Sequence, residues 1–173
     1  MSSNEKSDAP KAHGTLFIHS VPAALCRHLE WAIGDVLSER LNLAWRTQSA
    51  LPGSFRSELA WTGPQGTAAK IASALRGWEY IRFEVVEEPS AGVDGSRYQG
   101  TPSLGIHHSI VGISGDILIN EDRLRAAIDR GQRNGGSVTE EIGAILGAAW
   151  DRELEIFRAA GDDENLRWMP ETG

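Results

Sequence analysis

Short segments that alternate apolar with polar residues, two stripes of helical period, and the order in which these follow one another predict an α+β fold for this chain. Thr15-Leu16-Phe17-Ile18-His19 reads as a first strand. Leu25, Leu29, Ile33, Val36 and Leu37 then recur at helical spacing, with Arg27, Glu30 and Asp35 on the opposite face. Leu41, Leu43 and Trp45, and after the Ser49 to Gly53 turn Phe55, Leu59 and Trp61, alternate with polar neighbours as a strand hairpin. Thr67 is placed to cap a short helix carrying Ala68, Ile71, Ala72 and Leu75, which ends at Gly77. Ile81, Phe83 and Val85 alternate with Tyr80, Arg82 and Glu84 as a fourth strand.

Strand, helix, strand, strand, helix, strand is the order of a ferredoxin-like split βαβ core (βαββαβ). Alternation assigns Leu43, Trp45, Phe55, Leu59, Trp61, Ile81, Phe83 and Val85 to the helix-covered face, and Arg46, Arg56, Glu58, Tyr80, Arg82 and Glu84 to the other. Two further strands, Leu104 to Val111 and Asp116 to Ile119, extend this core, and the stretches from Pro89 to Gly95 and from Arg97 to Ser103 are read as loops. Two C-terminal helices follow. Asn120 caps the first, and the capping box Ser137-Val138-Thr139-Glu140 opens the second, whose apolar stripe runs through Ile142, Ile145, Leu146, Leu154 and Phe157 to Gly161. Such a stripe must be covered. If it covers the face bearing Arg46 and Arg82, then Glu58, Glu84 or Glu155 should lie against the arginines.

The expected organisation is a disordered N-terminal tail over 1–13, one domain over 14–161 and an acidic C-terminal tail over 162–173. The 173 residues carry a formal net charge of -7 with no basic run, which disfavours nucleic acid as a partner. No apolar stretch is long enough to span a membrane, and the polar segment from Met1 to His13 lacks the apolar centre of a secretory signal. A single cysteine, Cys26, fits a reducing cytoplasm. Placed near a helix start, its thiol is a weak candidate nucleophile.

Adjacent His107 and His108 point to opposite faces of a strand, so they do not form one metal site. With no cysteine pair or HExxH, neither metal nor cofactor is expected. Glycine-rich phosphate loops and a GxSxG elbow are likewise missing. A candidate ligand pocket gathers His19, Tyr98, His107 and Asp116, with Arg76 or Arg97 to clamp an anionic group such as a carboxylate or acyl-CoA. A candidate interface gathers Trp31, Arg46, Arg56, Arg82 and Trp168, because surplus tryptophan and arginine serve as interface anchors.

Taken together, His19-Ser20-Val21-Pro22 with Leu29-Glu30-Trp31-Ala32, Ala72-Ser73-Ala74-Leu75-Arg76-Gly77-Trp78, Arg82-Phe83-Glu84-Val85, Gly115-Asp116-Ile117-Leu118-Ile119 and Trp150-Asp151-Arg152-Glu153-Leu154-Glu155 resemble the actinobacterial family known as domain of unknown function 3145. The resemblance transfers no catalytic residues. It implies a setting in fatty-acid metabolism, because genes of the family often neighbour those for fatty-acid synthesis. The expected function is an accessory or regulatory protein that docks on a larger enzyme, with a homo-oligomer possible. The alternative is a small-molecule sensor or small enzyme using the pocket near His19, Tyr98, His107 and Asp116.

Overall fold

A computed structural model describes residues 10–133 and 135–167, with residues 163–167 given by backbone alone. In chain order the elements are β1 (Lys11–Pro22), α1 (Cys26–Leu37), β2 (Arg46–Thr47), β3 (Ser54–Pro64), α2 (Thr67–Leu75), β4 (Arg82–Glu87), β5 (Gly95–Thr101), β6 (Gly105–Val111), β7 (Ile117–Leu118), α3 (Glu121–Arg133), α4 (Val138–Leu146) and α5 (Ala148–Arg167). The strands form one antiparallel sheet in the order β2-β3-β1-β4-β5-β6-β7. This is a mixed α+β architecture, and among the described residues no helix is long and apolar enough to cross a membrane.

One sheet face carries the apolar core. Leu16 and Ile18 of β1, Trp61 of β3 and Phe83 and Val85 of β4 pack beneath Leu29 and Ile33 of α1 and Ile71 and Leu75 of α2. Each fully buried aliphatic side chain there contributes about 1.5 to 3 kcal/mol. Gly14 makes room for the indole of Trp61, since a Cβ at residue 14 would lie 2.3 Å from the ring. The start of α2 is capped from across the sheet, where the buried Glu87 carboxylate accepts from Gly66 N at 2.8 Å and Ala68 N at 2.9 Å. A negative group there also meets the positive end of the helix dipole. Thr67, expected as the cap, instead donates its hydroxyl to the Pro64 carbonyl.

The opposite face is polar, and α5 lies across it. Phe17 pairs with Glu58 and with Glu84, Glu84 with Gln99, and Gln99 with His107, so these five side chains form a single row across β3, β1, β4, β5 and β6. Trp150 Nε1 at the start of α5 donates to Gly105 O of β6 at 3.0 Å, and Gly161 near its end lies against Arg56 of β3. The helix therefore crosses the strands. Leu154 and Phe157 bury the stripe against the sheet, while Arg82 lies over the Phe157 ring at 4.6 Å.

Several expectations change. β1 starts at Lys11, inside the segment read as tail, and α5 continues past 161. Of the strand read from Leu41 to Arg46, only Arg46 is paired, with Thr47 beyond it, because Glu30 captures the rest: its Oε1 accepts from Leu43 N and Trp45 Nε1, both at 2.9 Å. The Arg97 to Ser103 segment, read as loop, is mostly strand β5. The long C-terminal helix is broken in two at Gly147, whose φ of 84° is left-handed. Asn120 and Ser137 cap α3 and α4 as the sequence predicts.

Candidate functional site

Beneath α5 the alternation of β4 places Glu84 among cations. Glu84 is buried, and its oxygens accept from His19 Nε2 (2.7 Å), Arg158 Nε (2.8 Å), Arg158 Nη2 (2.6 Å) and Arg97 Nε (3.2 Å). Burial alone would raise this carboxyl, but the bonds from His19, Arg158 and Arg97 outweigh it and hold Glu84 well below the usual carboxylate range. Asp151 completes the cluster from α5, accepting from Gln99 Nε2 at 2.8 Å and Arg158 Nη2 at 3.0 Å. Burial works against the charge on Arg158, yet Glu84 and Asp151 push its pKa above the ordinary arginine value. Next to this cluster, Glu153 accepts from Arg82 Nε (3.2 Å) and Thr101 Oγ1 (3.0 Å).

The helix covers only part of the sheet. Between α5, the Pro89 to Asp94 loop and the Gly112 to Gly115 turn lies an open cleft of about 1620 Å³. Phe17, Val86, Arg97 and Val111 line it from the sheet, Phe157 and Arg158 from α5, and Arg46, Arg56 and Glu58 at the β2–β3 end. Arg46 and Arg56 are cross-strand neighbours. The far rim exposes Ile113 (93%) and Val93 (50%) beside the carboxylates of Glu88 and Asp94.

Of the pocket residues expected from sequence, the structure brings together His19 and Arg97, both on Glu84. His107 stands in the same row but packs its ring on Trp150 at 4.8 Å, and its Nε2 has no hydrogen-bond partner among the described residues. Burial, with Arg123 and His108 nearby, pushes its pKa down. Tyr98 faces the other side, stacked on His108 at 4.5 Å. Arg76 follows α2 beside a separate cavity of about 280 Å³ lined by Trp78 and Ile106. Asp116 sits in the turn before β7, where Ser114 Oγ donates to it. Of the two arginines offered for an anionic group, Arg97 is bound to two carboxylates, Glu84 and Asp151, and Arg76 lies on the other face of the sheet.

Of the interface residues, Arg46 and Arg56 line the cleft, Arg82 is paired with Glu153, and Trp31 is 63% exposed on α1, edge-on to His28. Trp168 lies outside the described residues. The Cys26 thiol is pushed up by burial and by Glu30, the reverse of what a nucleophile needs.

The family model for protein of unknown function (DUF3145) matches residues 15–171 of the chain. The chain belongs to that family. No curated protein and no solved structure matches it. Within the family's matched span lie the Glu84 cluster, α5 and the whole lining of the cleft.

Among the described residues no group of three or more His, Cys, Asp or Glu could hold a metal. The apolar stripe of the C-terminal helix does not by itself point to Asp151, Glu153 and Arg158. The signal was there: Asp151 and Arg158 lie seven residues apart in line with Leu154, so charged residues share the buried face.

Proposed function

We propose that the protein is a binding module, an accessory protein that engages a ligand or partner through the cleft between the sheet and α5. The cleft carries this reading: its open sheet surface joins fixed charges to exposed apolar side chains on the rim, the combination found at interaction sites. The Glu84 cluster supports a binding role over catalysis. With Glu84 ionised, His19 Nε2 must donate to it, so that nitrogen is committed as a strut rather than offered as a base. A setting in fatty-acid metabolism and in the cytoplasm rests on the family resemblance and the single cysteine. A ferredoxin-like reading of the first four strands is supported by their β4-β1-β3-β2 adjacency and by α1 and α2 sharing one face.

Val86 is half-buried on the cleft floor, so Val86→Trp obstructs the middle of the floor and leaves the core intact. A compound or peptide that raises the melting temperature of the wild type and not of Val86→Trp supports this reading. Binders that stabilise both proteins equally overturn it.

A further inference from the structure

We infer that the occupant of the cleft is an extended, basic and apolar segment of a protein partner, an inference that rests on the cleft being the binding site. Size is the first argument. About 1620 Å³ exceeds the roughly 300 to 1,000 Å³ of small-molecule sites. From β3 to β6 the floor crosses four strand spacings of about 4.8 Å, so an extended chain laid along α5 spans roughly 20 Å, or about six residues.

Charge is the second. Arg97 and Arg158 are already balanced by Glu84 and Asp151. At the β2–β3 end the lining holds two cations, Arg46 and Arg56, and two anions, Glu58 and Asp162. What remains is the far end, where Glu88 and Asp94 are exposed beside Ile113 and Val93. An anionic ligand would meet this excess of carboxylates within a chain of net charge -7, whereas a cationic one is attracted over the Debye length. Exposed Ile113 and Val93 ask for apolar side chains as well, which a small cation lacks. A second copy of this chain does not fit, because it brings the same negative charge and no basic run.

Selection from a random twelve-residue peptide library on the immobilised full chain tests the inference. The expected result is enrichment of Lys or Arg together with Leu, Ile or Phe. Binding of the selected peptides should weaken with salt, fall on the order of tenfold in Glu88→Lys/Asp94→Lys and vanish in Val86→Trp. Enrichment of acidic peptides whose binding Val86→Trp abolishes overturns the basic partner and leaves the cleft reading standing. Peptides indifferent to Val86→Trp overturn the cleft reading itself. Basic peptides indifferent to Glu88→Lys/Asp94→Lys, or a selection with no enrichment, overturn the inference.

Discussion

His19 on β1 and Glu84 on β4 are joined by a 2.7 Å hydrogen bond between Nε2 and Oε2, beneath a helix more than sixty residues further along the chain. The bond depends on an irregularity. The β1–β4 register slips between Ile18 and Ser20, so His19 reaches Glu84 while its neighbour Ser20 accepts from Arg82 at 3.4 Å. Two consecutive side chains thereby serve the face that α5 covers.

Glu84→Gln should cost about 2 to 4 kcal/mol, because it removes the anion shared by Arg97, Arg158 and His19. The arginines keep Asp151 and some solvent, which places the loss toward the low end for a broken buried pair. Urea denaturation measures it, and a loss below about 0.5 kcal/mol would mean the cluster does not hold α5 down.

Acidification should remove the same contribution. Glu84 titrates lower folded than unfolded, where a glutamate sits near pH 4.3. The unfolded chain therefore takes up the proton first, so the stabilisation is full above about pH 5 and is lost as pH falls further. The stability gap between wild type and Glu84→Gln should shrink from pH 6 to pH 3. A gap that widens with acid would show the opposite sign of coupling.

Leu154→Ala should lose about 2 to 5 kcal/mol, as for any large, fully buried aliphatic side chain. Leu146→Ala, in the half-buried last turn of α4, should lose less. Equal losses in thermal or chemical unfolding would place the core of the C-terminal helices in α4 instead.

Gly147→Ala should destabilise by about 1 to 3 kcal/mol. Its φ of 84° suits glycine, and an added Cβ would come within 2.7 Å of the His107 ring. Gly143→Ala is the control, since a Cβ there meets only ordinary contact with Ala148 at 3.6 Å. Comparable unfolding midpoints for the two variants would remove the break at Gly147 from the account.

The faces of β3 and β4 were legible because their central residues alternate: Trp61, Phe83 and Val85 go to the core and Glu58 and Glu84 to the other side, and only the end of β4 departs, with Val86 on the cleft and Glu87 buried. β5 was not. Its sequence Gly-Ser-Arg-Tyr-Gln-Gly-Thr has buried positions at Gly95, Gln99, Gly100 and Thr101, none carrying an apolar side chain. The burial of the last three is explained only by distant partners: Gln99 bonds Asp151, Thr101 bonds Glu153, and Gly100 leaves space for the Phe83 ring. Local pattern reports which side of a strand meets oil. It says nothing about a polar strand that is buried under a polar helix face, and that is how the cleft and its ionic cluster are built.

An amide chemical-shift map of the ¹⁵N-labelled chain, titrated with a library-selected peptide, tests the cleft most directly. The account predicts that the responding amides cluster at Phe17, Val86, Arg97, Val111 and Ile113, along the floor and rim beside α5. A map centred on Trp31 and Tyr80, the exposed aromatics away from the cleft, would contradict it.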